Sequence, residues 1–283
     1  MTGGEDVAST QPGKAAAPEH GLARSLVADP AFGPLRGLLL LLTVVTGVVD
    51  AVSILALGRV FVANMTGNVV FAAFAVVGAP GFSLGSSLFA LAGFLVGAYA
   101  GGMLIARSGR DRGSLLRAGA AAELALAAVS LILAATSSGP GSGHGTLGLT
   151  GAAFPALVTD AIAALLALAL GIQNAIARKL AVPDLTTTVL TMTLTGLGAD
   201  LRAVFSETGQ GAGGGKTARA TLGRRLLAVV AMIVGAAAGA LLALHVSAVA
   251  ALALAASLLT VVAMGAALAA RQPAAWRTPA AKV

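Results

Sequence analysis

Six apolar runs of membrane-spanning length constrain this chain more than any other feature of its sequence. A helix needs roughly 20 apolar residues to cross a bilayer, and only 10% of the residues here are charged, against about 25% in a typical soluble domain. Lipid must therefore cover most of the surface. We predict an all-α, polytopic membrane protein whose six transmembrane helices lie at 35–57, 84–106, 115–136, 155–177, 222–243 and 246–268.

The stretch at 43–70 is apolar but carries polar residues that a simple spanning helix lacks. It contains an acid, Asp50, breaks at Gly58-Arg59, and resumes at 64–68 with Asn-Met-Thr-Gly-Asn. A charged side chain at the centre of a bilayer costs about 3 kcal/mol on insertion scales, so the acid must face a partner, water or a cavity. We interpret this stretch as a polar break embedded in the membrane.

A weaker copy of this stretch lies at 168–196. Asp184 there aligns with Asn64, and Asn174 aligns with Asp50 when four residues are dropped between the two blocks. The third and seventh apolar segments also share a glycine motif. The chain therefore divides into two halves, each with a helix, a short apolar segment and two further helices.

Three glycines mark one face of the run at 84–106. Gly93, Gly97 and Gly101 are spaced by four, which places them on the same side of a helix. Small residues at this spacing let two membrane helices approach closely. We predict that this run crosses the run at 222–243 near these glycines.

The positions of Lys and Arg predict the topology, because these residues concentrate in cytoplasmic loops. If the short segments at 64–79 and 184–201 enter the membrane and return to the side they came from, only Arg59 of the 18 Lys and Arg lies outside. Each half then has three spans, so the halves have opposite orientations and form an inverted repeat, a recurring transporter plan. A seven-span alternative, with 64–79 crossing and the N-terminus outside, leaves more basic residues outside and loses the symmetry.

The predicted layout has cytoplasmic tails at both ends and an external loop between two membrane repeats. We expect no anchoring role for Trp276 in the second tail. The segments are a disordered tail at 1–34, the first repeat at 35–136, the external loop at 137–153, the second repeat at 154–268 with a cytoplasmic loop at 202–221, and the second tail at 269–283.

Two motifs carry a family resemblance. The stretches TGVVDAVSILALGRVFVANMTGNVV and GIQNAIARKLAVPDLTTTVLTMTLTGL resemble the YoaK family of bacterial inner-membrane proteins, and the resemblance covers about residues 35–268. It implies a multi-pass protein of the bacterial plasma membrane. The family brings no established substrate or reaction, so it assigns no functional residue.

The starts of the two short segments form the predicted substrate site. Within the membrane, the free backbone N–H groups and positive dipole end of a helix start attract an anion or a polar ligand. Asn and Asp are also preferred N-caps, so capping is the alternative role for Asn64 and Asp184. The predicted substrate-binding residues are Asn64, Thr66, Gly67, Asn68, Asp184, Thr186, Thr187 and Thr188.

Two acids at mid-depth, Asp50 and Glu123, are the candidates for coupling to an ion or a proton. A carboxyl group in apolar surroundings favours its neutral form, so it can carry a proton near neutral pH. The alternatives are structural. Asp50 would then bond a neighbouring helix, and Glu123 would be a neutral hydrogen-bonding group.

The predicted function is that of a secondary transporter or permease for a small polar or ionic solute. A passive channel, a membrane-embedded enzyme and a structural partner of a membrane complex are the alternatives. We expect no enzymatic activity and no catalytic residue, because only Asp50 and Glu123 could act as a buried acid or base and no nucleophile stands out. We also expect no cofactor and no metal site; the chain has no Cys and its three His lie far apart. The expected partners are the lipid bilayer and the solute, without nucleic acid; a homo-oligomer is compatible with the sequence.

Overall fold

The structure is a computed structural model that describes residues 32–109, 111–137, 153–182, 193–199, 214–271 and 276–277, with the backbone alone at 214–220. This part of the chain is helical apart from short connections. The helices are α1 (Leu35–Ala56), α2 (Met65–Val76), α3 (Leu84–Ser108), α4 (Arg112–Ser137), α5 (Ala156–Leu180), α6 (Gly214–His245) and α7 (Ala248–Arg271), with a further helical segment at 193–199.

Six of these helices are long and apolar enough to cross a membrane: α1, α3, α4, α5, α7 and the part of α6 from Thr221 onward. The prediction of an all-α polytopic protein with six transmembrane helices is therefore confirmed. Large apolar side chains such as Leu95 on α3 and Ile233 on α6 are more than half exposed. Such surfaces are stable only where lipid covers them.

The short helix α2 does not reach across a bilayer. Its 12 residues span about 18 Å at 1.5 Å per residue, whereas the hydrocarbon core is about 30 Å thick. It packs against α3 and exposes Val69 and Val76 on its outer side. A short helix therefore follows the polar break, inside the predicted segment at 64–79. Of the second predicted segment, at 184–201, the described part contains the helical residues 193–199.

One end of the bundle, which we call the tail face, is formed by the start of α1, the turn between α3 and α4, and residues 276–277. Trp276 is 8% exposed, and its ring lies so close to Gly33 that a Cβ there would approach it to 2.6 Å. The N–H of Arg112 donates to the carbonyl of Arg277 at 2.9 Å. The expectation that Trp276 anchors nothing was wrong, because its partners are distant in sequence.

The opposite end, which we call the cleft face, is formed by the end of α1 and the starts of α3 and α5. The N–H of Ala153 donates to the carbonyl of Ala56 at 2.8 Å. The hydroxyl of Ser86 on α3 donates to Asp160 on α5 at 2.5 Å. Since α3 and α5 both start at this face, they run parallel to each other.

The glycine face of α3 packs against α5. Added Cβ atoms at Gly93 and Gly97 would lie 2.5 and 2.0 Å from the carbonyl oxygens of Ala164 and Leu168, so only glycine permits this approach. Within the described residues α3 does not contact α6, and the predicted crossing of 84–106 with 222–243 was wrong. Glycine spacing indicates that a helix face is flat, but it does not identify the helix that packs there.

Candidate functional site

Asp50 ties α1 to the polar break that follows it. Its carboxylate accepts a hydrogen bond from the backbone N–H of Ala63 at 3.3 Å. Asp50 lies about 9 Å before the end of α1, at 1.5 Å per residue. The chain therefore leaves α1 and folds back alongside it, so that α2 begins at the depth of Asp50 rather than at the end of the helix.

Asn68 closes the break from the other side. Its side chain is fully buried, accepts from the N–H of Phe61 at 2.9 Å, and donates to the carbonyl of Phe61 at 2.6 Å. Both backbone groups of Phe61 are thus satisfied by one amide. Asn68 uses its polar atoms within the protein, which gives it a structural role in the arrangement described here.

Gly67 also contacts Phe61. A Cβ at Gly67 would lie 2.4 Å from the ring of Phe61, so the absence of a side chain lets the ring lie against the first turn of α2. Phe61 stacks on Phe71 with ring centroids 5.5 Å apart, and Phe71 in turn meets Phe74 and Phe82. This phenylalanine cluster was missed by sequence reasoning. It holds α2 against the break and the start of α3.

Asn64 and Thr66 are the exposed members of the predicted site. Asn64 immediately precedes α2, at the predicted position, but its side chain makes no capping hydrogen bond. The four candidates of the first half therefore divide into two exposed residues at the start of α2 and two, Gly67 and Asn68, that pack against Phe61. Asp184, Thr186, Thr187 and Thr188 lie outside the described residues, so the meeting of the two half-helix starts stays a prediction.

Glu123 lies deep in α4, about 17 Å from its first residue at 1.5 Å per residue. It is 3% exposed, and its Oε2 atom has no hydrogen-bond partner among the described residues. One turn earlier, Gly119 contacts Ile176 of α5, so Glu123 lies within the packed interior. Asp50 and Glu123 occupy separate places in the described structure, because α1 and α4 do not pack against each other.

A polar contact at the centre of the bundle joins α1 to α5. Gln173 donates from Nε2 to the hydroxyl of Thr46 at 3.0 Å. Both side chains are buried, and within the described part of the chain the Oε1 of Gln173 has no hydrogen-bond partner. Polar groups inside a membrane bundle are candidates for solute pathways. Gln173 is not among the site residues predicted from the sequence, although its place in an apolar run was a usable signal.

A cleft of about 490 Å³ opens on the cleft face. It lies between the break after α1, the segment leading into α3, and the start of α5. Asp160 is its only acidic lining residue within the described chain, and Ser86 donates to Asp160 there. Asp160 is not among the site residues predicted from the sequence.

On the tail face, Asp111 joins the start of α4 to the end of the chain. Its Oδ1 accepts from the N–H groups of Gly113 and Ser114 at 2.9 and 3.2 Å, which is the N-cap arrangement. Arg277 pairs with the same carboxylate through two hydrogen bonds. This guanidinium, with lesser help from the N–H donors, lowers the pKa of Asp111 to about 2.

Comparison with known proteins gives two matches. Residues 38–265 match the family described as "Protein of unknown function (DUF1275)". The chain is also 32% identical over 164 residues to the UPF0700 transmembrane protein YoaK of Bacillus subtilis (strain 168). This second match covers 58% of the present chain and 66% of the relative. No solved structure matches the chain.

Proposed function

Because the chain belongs to the DUF1275 family and is a multi-pass membrane protein, we propose that it is a secondary transporter or permease for a small polar or ionic solute. The proposal includes an inverted repeat and a substrate site between the starts of two half-helices. The observation that carries it is a pair of helix crossings whose contacts repeat residue by residue between the two halves.

The first helix of each half packs against the third segment of the other half, and one glycine of the first helix lies at each contact. A Cβ at Gly47 of α1 would lie 2.5 Å from the carbonyl oxygen of Met232 on α6. A Cβ at Gly171 of α5 would lie 2.3 Å from the carbonyl oxygen of Phe94 on α3. Gly47 aligns with Gly171, and Met232 aligns with Phe94. Equivalent glycines thus contact equivalent atoms.

Glycines of α6 and α3 make equivalent contacts at the same two crossings. A Cβ at Gly235 of α6 would lie 2.1 Å from the carbonyl oxygen of Val44, and one at Gly97 of α3 would lie 2.0 Å from that of Leu168. The register that relates Gly47 to Gly171 also relates Val44 to Leu168. A chance match between glycine-rich helices would not preserve both partners of both contacts.

The directions of the helices support opposite orientations for the two halves. α1 starts at the tail face, whereas α5 starts at the cleft face with α3. The contacts of α1 with α6 advance together along both helices, from Val44 and Gly235 to Val48 and Gly239, so α6 runs parallel to α1. Each long helix of the first half therefore runs opposite to its counterpart in the second, which is the relationship that an axis in the membrane plane produces.

The polar break supports a site inside the membrane. The start of α2 lies at the depth of Asp50, so its first backbone N–H groups lie well inside the length of the bundle rather than at its end. Transporters of inverted-repeat architecture bind solutes at such half-helix starts. In this proposal Asn64 and Thr66 take part from the first half, with Asp184, Thr186, Thr187 and Thr188 from the second.

Glu123 supports a coupling role because the other half has no acid at the matching place. Five buried positions of α4 coincide with buried positions of α7, among them Leu115 with Ala251 and Gly119 with Ala255. Glu123 then matches Leu259, which is also 3% exposed. Since packing at this place accepts leucine, we propose that Glu123 is retained to exchange a proton, with Asp50 as the second coupling acid.

The basic residues support an orientation with the tail face in the bacterial cytoplasm. Among the described side chains, every Lys and Arg except Arg59 lies at or near the tail face, as expected for the cytoplasmic side.

Single introduced cysteines test this orientation cleanly because the chain has no cysteine of its own. An impermeant thiol reagent should label a cysteine at Ser142 in intact cells and at Ser108 only after lysis; the reverse pattern overturns the orientation.

Uptake by purified protein in liposomes tests the function. Charged and neutral solutes would be screened with and without a pH gradient. We expect at least one solute to accumulate only when the gradient is present, and Glu123→Gln to change the pH dependence of that accumulation while Asp111→Asn does not. Equilibration without accumulation would identify a passive channel instead. The absence of any protein-dependent flux would overturn both functions.

A further inference from the structure

The cleft on the cleft face contains the carboxylate of Asp160, of which only one oxygen accepts a hydrogen bond within the described chain. Asp160 accepts a hydrogen bond on Oδ1 from Ser86, and within the described chain its Oδ2 receives none. The side chain is partly exposed and lines the cleft. The hydroxyl of Ser86 therefore fixes the orientation of the carboxylate and leaves one oxygen available to a ligand inside the cleft.

A cationic side chain, that of Arg59, lies next to Gly81 and so borders the cleft without being one of its lining residues. A Cβ at Gly81, which lines the cleft, would approach Nη1 of Arg59 to 2.8 Å. Arg59 is exposed and makes no ion pair or hydrogen bond with a described residue. Its backbone has φ +58°, a conformation that costs a non-glycine residue about 1 kcal/mol or more. The break therefore holds Arg59 in an uncommon conformation beside the cleft.

The size and remaining walls of the cleft suit a small organic molecule. Its volume of about 490 Å³ falls in the range of roughly 300–1,000 Å³ that is typical of ligand pockets. Phe82 and Phe154 contribute apolar walls, and the starts of α3 and α5 both border it. Aromatic walls with few, separated polar groups are the usual composition of a site that orients an organic ligand.

We propose that this cleft binds a small zwitterion, with its ammonium group on Asp160 and its carboxylate on Arg59. A simple cation would be opposed by Arg59 and by the positive ends of two helices. A simple anion would be opposed by Asp160. A molecule that carries both charges is favoured by both residues. Binding at this face does not require transport, so the inference stands apart from the proposed function.

Binding to the purified full-length protein in detergent tests this site. Calorimetric titrations would use the standard α-amino acids, γ-aminobutyrate and glycine betaine as probes. For the tightest probe, the same titration would be repeated with the analogue that lacks its carboxylate and with the analogue that lacks its ammonium group. We expect one or more zwitterions to bind, and both single-charge analogues to bind about 10- to 100-fold more weakly, since each loses one charge pair and, where the lost group donates or accepts one, a charge-assisted hydrogen bond.

Two variants then separate recognition from folding. Arg59→Gln should weaken zwitterion binding and should bind the analogue without a carboxylate as tightly as the zwitterion. Asp160→Asn should also weaken zwitterion binding, and it should bind the analogue without an ammonium group as tightly as the zwitterion. Arg107→Gln, on the tail face, is the matched control and should bind as wild type does. A misfolded variant would lose binding of every probe, rather than lose only its preference for the zwitterion over one analogue. Failure of every probe to bind wild type, or unchanged selectivity in both variants, overturns the proposal.

Discussion

The carboxylate of Asp50 accepts a hydrogen bond from the backbone N–H of Ala63, which lies 13 residues later in the chain and 3.3 Å away. This contact brings the end of the polar break to the level of a residue well inside α1. The acid that sequence reasoning selected for coupling therefore also holds the start of α2 in place. The two roles make different predictions for two substitutions of the same residue.

Asp50→Asn should keep the fold and abolish gradient-driven flux. An asparagine oxygen can still accept from Ala63, but the side chain no longer carries a charge or a titratable proton. Asp50→Ala should lose flux and also lower stability by about 1–3 kcal/mol, because the N–H of Ala63 is left without its partner. Thermal unfolding in detergent and uptake in liposomes would be measured for both. Undiminished gradient-driven flux in Asp50→Asn would leave the acid with a structural role alone.

Asn68→Ala should destabilise the protein far more than Asn64→Ala. The first substitution leaves the N–H and carbonyl of Phe61 without partners, at about 1–3 kcal/mol for each group. The second removes an exposed side chain that caps nothing, and such changes usually stay within about 0.5 kcal/mol. Thermal unfolding of the two matched variants decides the question. Equal stability would mean that the Asn68 amide does not hold the break.

Gly97→Ala and Gly235→Ala should destabilise the protein to a similar extent. In each case the new methyl group would meet a carbonyl oxygen of the partner helix at about 2 Å, and overpacking of this kind costs about 1–3 kcal/mol. Gly102→Ala, in the same helix as Gly97, is the control, since no described atom lies within 4 Å of its added Cβ. The control should gain slightly from helix propensity. A large effect at only one of the two crossings would contradict their equivalence.

Arg277→Gln should lower stability at neutral pH but not in strong acid. The ion pair lowers the pKa of Asp111 from 3.8 to about 2 in the folded protein. A carboxyl group whose pKa is lowered by folding contributes its full stabilisation at pH values above its pKa in the unfolded chain. This contribution is lost as the pH falls through its pKa in the folded protein. The difference in Tm from wild type should therefore shrink between about pH 4 and pH 2. Arg271→Gln, also on the tail face, should show no such pH-dependent difference.

Hydrophobic length made the spanning helices predictable. The first span, predicted at 35–57, is observed as Leu35–Ala56, and the last, predicted at 246–268, is observed as Ala248–Arg271. Lipid imposes these lengths on each segment separately, so local sequence suffices. The cleft depends on Ser86 meeting Asp160, and the tail face on Trp276 meeting Gly33. Such contacts join residues far apart in the chain, and no local pattern indicates them.

Spectroscopic distances between spin labels test most directly whether the two half-helix starts face one site. Single cysteines at Asn64 and Asp184 can be labelled cleanly because the chain has none of its own. A pair at Ser108 and Ser142, which the topology places on opposite membrane faces, provides the long-distance control. We predict that the labels at Asn64 and Asp184 lie within about 20 Å of each other, well below the roughly 30 Å thickness of the hydrocarbon core. A separation as long as that of the control pair would contradict it.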